Sequence, residues 1–183
     1  MRFFKVTLAL LVMSCSTNNS QNQLFEDLKD QETVVIFLSQ YGLDSIPAEI
    51  GNLKSATTLY IKKDEKDTVG WTVYPPLSAF QNPVFSEPFR KLPTEISQRQ
   101  KLKGLNLSNL DIHELPDSFE DLRNLTKLDL SFNKLTIADE IGHLKPLKKL
   151  KYLRLTGNKV DSTDIAVLKA EIPGISIRSR FDE

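Results

Sequence analysis

The stretch LTKLDLSFNKL occupies residues 125–135, and the same pattern returns as LKYLRLTGNKV at residues 150–160. In both stretches the first, fourth, sixth and eleventh positions are apolar. Side chains alternate between the two faces of a strand, so Leu128 and Leu130 share one face, as do Leu153 and Leu155. Each stretch therefore predicts a short strand that is apolar on one side only.

The pattern recurs along most of the chain. Its other copies are LKGLNLSNLDI from Leu102, TVVIFLSQYGL from Thr33, ATTLYI from Ala56 and IPGISI from Ile172. The unit starts at 33, 56, 102, 125, 150 and 172 are separated by 23, 46, 23, 25 and 22 residues, which match one or two repeat periods. One unit cannot bury its own leucines, so neighbouring units must stack. The spacing predicts a solenoid.

These units resemble leucine-rich repeats of the form L-x-x-L-x-L-x-x-N-x-L, several of them followed by an L-P-x-x-I element. The element is IPAEI at 46–50, LPTEI at 92–96 and LPDSF at 115–119. The resemblance covers about residues 33–177. It implies an α/β solenoid: a leucine-rich-repeat arc with a parallel concave sheet of about six short strands, an irregular or short-helical convex side and a helical amino-terminal cap.

The ninth repeat position is asparagine in only two units, at Asn133 and Asn158. The resemblance implies that these amides satisfy backbone groups of the turns between units. Tyr41, Asp64 and Leu110 occupy that position in the other units, so those turns must be satisfied differently. The prolines of the L-P-x-x-I elements suit the return path, because proline has no amide hydrogen for a parallel ladder.

The apolar cross-section at each end of the solenoid must be covered by a capping segment. Residues 24–32 are expected to form the amino-terminal cap, since Leu24, Phe25 and Leu28 have helical spacing. The repeats then extend over 33–171, with a helix at 164–171 whose Ile165 and Leu168 face inward. Residues 172–183 are expected to supply the final strand, at 175–177, and the carboxy-terminal tail.

An irregular segment at about residues 64–91 interrupts the repeats. It lacks the leucine frame and carries Trp71 and Tyr74 together with several prolines and phenylalanines. It is either a degenerate repeat or an insertion. Long structureless loops are uncommon in compact domains, so the sequence favours an ordered insertion packed on the solenoid. Trp71 and Tyr74 form a secondary candidate binding site there.

The amino terminus has the layout of a secretory signal peptide over residues 1–14, with Arg2 and Lys5 before a short apolar run. Val12 to Cys15 resembles a bacterial lipobox. The resemblance implies diacylglycerol on the Cys15 thiol, cleavage before it and acylation of the new amino terminus. Residues 15–23 would be a lipidated flexible tether. We therefore expect a lipid anchor in a bacterial cell envelope, and Ser16 after the cysteine favours the outer membrane.

Composition and motifs argue against several functional classes. The formal net charge is zero, which leaves no electrostatic surplus for a nucleic-acid backbone. The sequence contains no glycine-rich phosphate loop, paired metal-binding histidines or nucleophile elbow, so neither an enzyme nor a cofactor is expected. His113 and His143 are interpreted as surface residues. Asp139 and Glu140 are interpreted as a solvated face or as helix-start charges.

The predicted function is binding of a protein or peptide through the concave face. The third, fifth and seventh positions of each unit would point outward there. The candidate residues are Phe37, Tyr60, Lys62, Asn106, Lys127, Asp129, Tyr152 and Arg154. Phe37 and Tyr60 are expected to stand side by side, although the amino-terminal cap could instead cover Phe37. The alternatives are a structural envelope component, a ligand- or glycan-binding protein that uses the segment around Trp71, and, less favoured, an enzyme.

Overall fold

The protein is described by a computed structural model at residues 24–65 and 92–180. In these ranges six strands form one parallel sheet in chain order. They are β1 (Thr33–Phe37), β2 (Thr58–Lys62), β3 (Gly104–Asn106), β4 (Lys127–Asp129), β5 (Tyr152–Arg154) and β6 (Ser176–Arg178). Short helices form the return segments, so the predicted α/β solenoid with a parallel sheet is confirmed.

Two rows of apolar side chains form the core beneath the sheet. One row contains Val34, Leu59, Leu105, Leu128 and Leu153, and the other contains Ile36, Ile61, Leu107, Leu130 and Leu155. None of these side chains is more than 3% exposed. Burying each stabilises the fold by about 1.5 to 3 kcal/mol. The four leucines predicted from the two decisive stretches are therefore core residues.

The register differs from the sequence prediction at both ends of the sheet. Val35 pairs with Tyr60, whereas Phe37 pairs with Lys62, so the expectation that Phe37 and Tyr60 stand side by side was wrong. At the other end Leu153 pairs with Ile177 rather than with residue 175. A shift of two residues keeps the same side chains on the same face, so alternation alone cannot detect it.

Two asparagines tie the turns of neighbouring units together. The amide oxygen of Asn133 accepts the N–H groups of Leu110 and Ile112, and its nitrogen donates to the carbonyls of Leu107 and Leu130. Asn158 repeats this arrangement one unit later; it accepts from Leu135 and donates to two carbonyls. The role implied for the ninth position is confirmed at both asparagines.

The residue before this position has a left-handed backbone in three successive units. These residues are Asn109 (φ 59°), Phe132 (φ 58°) and Gly157 (φ 83°). At Gly157 a Cβ would lie 2.9 Å from Cδ1 of Phe132, so the glycine serves both the backbone conformation and the close stacking of the turns.

Each L-P-x-x-I element becomes a 3-10 helix on the return path. The helices span Ala48–Asn52, Thr94–Gln98 and Asp117–Asp121, and each directly follows a proline. Ile50, Ile96 and Phe119 point into the core from these turns. The prediction that these prolines lie outside the strands is therefore confirmed.

Arg99 joins the return segments of the first two units. Its guanidinium is buried, and Nη1 donates to the carbonyl of Ile50 at 2.6 Å. Nε and Nη2 have no hydrogen-bond partner among the described residues. Burial lowers the pKa of Arg99 to about 10, so the group is still charged at neutral pH and carries a desolvation cost.

Two α-helices replace the 3-10 turns in the last units. Helix α1 spans Ile137–Leu144 and helix α2 spans Ser162–Glu171. Leu168 is fully buried and Ile165 is partly buried against the core, as predicted for this end. Asp161 begins α2 with a capping box, because its carboxylate accepts the N–H of Asp164, whose side chain accepts the N–H of Asp161.

Asp139 and Glu140 lie in the first turn of α1, which confirms their interpretation as helix-start charges, but Glu140 does not belong to a solvated face. It is only 4% exposed, and its carboxylate accepts the N–H of Leu115 and contacts Nδ1 of His143 at 2.9 Å. His143 also lies 3.5 Å from the Asp117 carboxylate. These contacts fasten α1 to the preceding return segment, a role that its position in a helical first turn does not reveal.

The amino-terminal cap is not the regular helix that its spacing suggested. Only Glu26–Leu28 form a 3-10 helix. Phe25, with φ 66°, is buried and meets the Tyr41 ring edge to face at a centroid distance of 4.9 Å. Leu24 and Leu28 pack against the same core. The cap therefore covers the first unit mainly through one aromatic side chain.

β2 and β3 are direct neighbours although 41 residues lie between Lys62 and Gly104 in the chain. No strand stands between them in the sheet, and among the described residues the long unit contributes one strand. Residues 66–91, including Trp71 and Tyr74, lie outside the described residues, as do Cys15 and the expected signal peptide and tether.

Helices of the described ranges are all too short or too polar to cross a bilayer. The longest of them, α2, has ten residues.

Candidate binding surface

The outward face of the sheet carries two rows of side chains that cross the strands. The first row contains Thr33, Thr58, Gly104, Lys127, Tyr152 and Ser176. The second contains Val35, Tyr60, Asn106, Asp129, Arg154 and Arg178. Both rows point outward because the side chains at the alternate positions of each strand point into the core.

A groove of about 640 Å³ runs over this face from β2 to β6. Its outward-pointing side chains are Thr58, Tyr60, Lys103, Asn106, Thr126, Lys127, Asp129, Tyr152, Arg154, Ser176 and Arg178. Six of the eight residues predicted for the concave face are among them. The remaining two, Phe37 and Lys62, lie at the β1 end outside the groove.

Hydrogen bonds hold the polar centre of the groove in place. One oxygen of the Asp129 carboxylate accepts from the backbone N–H and the hydroxyl of Ser131. Its other oxygen lies 3.4 Å from both the Asn106 amide nitrogen and Nη1 of Arg154. The Asn106 amide oxygen in turn accepts from Ser108. Asp129 is thus engaged by its neighbours on both oxygens.

Aromatic side chains occupy both halves of the groove. Tyr152 is 57% exposed, and the Lys127 ammonium lies 5.8 Å from its ring centroid, within the range of a cation–π contact. Tyr60, on β2, is partly buried. Exposed tyrosine beside arginine and lysine is the kind of composition found in binding hot spots.

Phe37 and Lys62 differ from their predicted roles. Lys62 is buried, with 7% exposure, and therefore presents little surface to a partner. Phe37 is partly buried and pairs with Lys62. Val35 instead stands beside Tyr60 and is 44% exposed.

Sequence reasoning missed four of the side chains that line the groove: Lys103, Thr126, Ser176 and Arg178. Ser176 and Arg178 belong to the last unit, whose frame was displaced by two residues. Lys103 and Thr126 directly precede β3 and β4 and were not counted as displayed positions. The spacing of the interior units, carried outward to the last strand, was the signal that could have found Ser176 and Arg178.

The two histidines stand in separate places. The side chain of His113 is 43% exposed and lies 3.6 Å from the Asp111 carboxylate, whereas His143 belongs to the contacts of α1. In the part of the chain that the structure describes, no three His, Cys, Asp or Glu side chains come together as a possible metal site.

Known proteins share this repeat. A family model described as Leucine Rich repeats (2 copies) matches residues 123–170. The disease resistance protein UNI of Arabidopsis thaliana is 38% identical over 85 residues, which cover 46% of this chain and 9% of that protein. The chain spans about a tenth of the length of the first curated relatives it matches.

Two solved structures are similar to part of this chain. An internalin of Listeria monocytogenes is 16% identical with a TM-score of 0.51, and the match covers 74% of this chain and 32% of that one. A leucine-rich-repeat protein of Leptospira interrogans is 26% identical with a TM-score of 0.47, covering 74% of this chain and 34% of that one. Residues 123–170 match leucine-rich repeats, and the described residues have the fold of an α/β leucine-rich-repeat solenoid.

Proposed function

We propose that the protein is a non-catalytic binding protein that holds a protein or peptide partner in the groove from β2 to β6. The observation that carries this proposal is the groove itself, a preformed concavity lined by the displayed rows of five strands. A surface built on strands is rigid, so little conformational entropy is lost in ordering this surface when a partner binds.

The side chains in the groove support binding more than chemistry. Tyr152 and Arg154 are of the types that dominate interface energetics, and Tyr60 adds an aromatic side chain at the other end. Asp129, the one carboxylate among the groove residues, is hydrogen-bonded on both oxygens and is not poised as a general base. The groove offers recognition without a reacting group.

The dimensions favour an extended segment of a partner. Adjacent strands lie about 4.8 Å apart, so the five strands of the groove span about 19 Å. An extended chain rises about 3.3 Å per residue, and about six residues would cross the groove. The partner would therefore present a peptide-like stretch rather than a small molecule.

The test is a triple variant, Tyr60→Ala, Tyr152→Ala and Arg154→Ala. Partners are first captured from solubilised envelopes, and the affinity of a purified partner is then measured by calorimetry. The triple variant should bind more weakly by more than about 2 kcal/mol. The matched control replaces Lys54, Lys134 and Val167, which are exposed outside the groove, by alanine. Equal affinity of both variants, each still folding cooperatively, would place the interface elsewhere.

We also propose that the protein is an envelope lipoprotein, anchored through Cys15 and resident in the outer membrane. The support is the sequence Val12 to Cys15 after a short apolar run, with a polar stretch following it. Each buried acyl methylene contributes about 0.8 kcal/mol, so several chains anchor a protein firmly.

Replacement of Cys15 tests the anchor. In a Gram-negative host grown with alkyne-tagged palmitate, Cys15→Ala should abolish labelling and release processed protein from the membrane fraction. Ser16→Ala is the control, because it leaves the thiol in place. Labelling and fractionation that are the same for Cys15→Ala as for the unaltered chain would exclude lipidation at this residue.

A further inference from the structure

The groove is strongly cationic although the chain is not. Four cationic side chains line it, Lys103, Lys127, Arg154 and Arg178, against the single carboxylate of Asp129, a net of three positive charges. The whole chain has a formal net charge of zero. The positive charge is therefore concentrated on the surface that we propose for binding.

Like charges are placed next to each other in this groove twice. Arg154 pairs directly with Arg178 across β5 and β6. Lys103 adjoins Gly104, which pairs with Lys127 across β3 and β4. Like charges that face each other on neighbouring strands lower the stability of a sheet. Sequences keep such unfavourable arrangements mainly at functional sites. An anion bound at either pair would relieve the repulsion.

Among the described residues, Asp129 is the one carboxylate within ion-pair distance of either pair. No carboxylate lies within ion-pair distance of Lys103, Lys127 or Arg178 among the contacts of the described residues. Arg154 has only the 3.4 Å contact with Asp129, whose oxygens also accept from Ser131 and Asn106. Lys103, Lys127 and Arg178 thus have no carboxylate partner in the part of the chain that the structure describes.

The two like-charge pairs lie at a distance that an extended chain can match. Their midpoints are two strands apart across the sheet, about 10 Å, and between two and three residues apart along the strands, about 8 Å. The resulting separation of about 13 Å equals nearly four residues of extended chain. Residues i and i+4 of such a chain point to the same side.

Resting on the proposed function of the groove, we propose that its occupant is an extended acidic segment with carboxylates at positions i and i+4. One carboxylate binds the Arg154 and Arg178 guanidinium groups, whose fork geometry matches it. The other binds between the ammonium groups of Lys103 and Lys127. Tyr152 and Tyr60 contact the side chains that flank these two.

The experiment uses the full chain and labelled ten-residue peptides in a serine and glycine frame. One peptide carries glutamate at positions 3 and 7, and the others carry glutamate at 3 and 4, glutamine at 3 and 7, or lysine at 3 and 7. A six-nucleotide oligothymidylate is a further probe. Fluorescence anisotropy is measured at about 10 mM salt, where exposed charges are weakly screened, and again at about 150 mM.

The glutamate 3,7 peptide should bind at least tenfold more tightly than the glutamine peptide and severalfold more tightly than the glutamate 3,4 peptide, with the advantage falling at the higher salt. The double variant Lys103→Glu and Lys127→Glu should reduce its affinity to the glutamine level. Lys54→Glu with Lys134→Glu makes the same charge change on exposed lysines outside the groove and should leave binding unchanged.

Several results would overturn the inference: equal binding of the glutamine peptide, stronger binding of the lysine peptide, no binding of either glutamate peptide, or an equal loss in both charge-reversal variants. Tighter binding of the oligothymidylate would assign the groove to single-stranded nucleic acid instead. The proposed function of the groove is tested by a separate result. It fails if the triple alanine variant keeps its affinity for the natural partner, whichever peptide binds.

Discussion

The interior units and the two end units of this solenoid follow the same sequence pattern. They differ in how well that pattern predicts the register in which their strands pair. The units starting at residues 102, 125 and 150 pair in the predicted register. The first and last units are each displaced by two residues from prediction. An interior unit has a neighbour on both sides that fixes its position, whereas an end unit has one neighbour and a cap.

The turns show the same difference. Asn133 makes hydrogen bonds to Leu107, Leu110 and Ile112 of the preceding unit and to Leu130 of its own unit, and it is 2% exposed. In the observed register the corresponding residue of the first unit is Ser39, which is exposed. The turns of the units starting at 125 and 150 are therefore held by an asparagine amide, whereas the first turn lacks one and relies on the cap around Phe25.

Disulfide crosslinking should distinguish two registers in an all-or-none manner. In the observed register Val35 pairs with Tyr60, whereas in the register expected from the sequence Phe37 pairs with Tyr60. In a Cys15→Ser background, Val35→Cys with Tyr60→Cys should form a disulfide, because directly paired Cα atoms lie about 4.8 Å apart. Phe37→Cys with Tyr60→Cys is the control, since that offset of two residues separates the Cα atoms by about 8 Å. Mass spectrometry after mild oxidation gives the yields. A higher yield for the control would restore the register expected from the sequence.

Core truncation should cost more in the interior than at the end. Leu153→Ala should lower the free energy of unfolding by about 2 to 5 kcal/mol, because the side chain is 2% exposed between two strands. Ile177→Ala, its partner on the edge strand, should cost about 1 to 2 kcal/mol, because Ile177 is only partly buried. Denaturant unfolding measures both. Equal losses would mean that the last unit is as tightly packed as the interior.

Loss of the interior turn amide should have the next largest effect. Asn133→Ala leaves the N–H groups of Leu110 and Ile112 and the carbonyl of Leu107 without this partner, and we expect a loss of about 2 to 4 kcal/mol. Ser39→Ala, at the equivalent place in the first unit, should cost less than about 0.5 kcal/mol because the side chain is exposed. A loss at Ser39 comparable to that at Asn133 would contradict the difference between the turns.

The smallest effect is expected at the start of the terminal helix. Hydrogen bonds from Thr163, chiefly from its hydroxyl, and from the N–H of Asp164 hold the pKa of Asp161 below its ordinary value of 3.8. The cap therefore contributes its full stability above about pH 4, and the contribution is lost as the pH falls through the lowered pKa. Asp161→Asn should be less sensitive to acid than the unaltered chain in this range. Identical acid-unfolding curves would show that the cap contributes nothing measurable.

Much of the fold was predictable because its determinants are local and repeated. Alternation placed Leu128, Leu130, Leu153 and Leu155 in the core, and the L-P-x-x-I elements marked the return turns. The candidate surface followed in part, since six of its predicted residues line the groove. The burial of Lys62 and Glu140 could not be predicted, because it depends on which segments pack over them.

The sequence by itself determined the repeat, the parallel sheet and the choice of residues that face the core, since each of these follows from a period of two within a strand and about 24 residues between units. Tertiary structure alone decided the register of the end units and the neighbours across the groove. A shift of two residues leaves the apolar face unchanged, so only the packing of adjacent units selects between registers. That selection is what brings Arg178 beside Arg154 and makes the groove cationic in a chain of zero net charge.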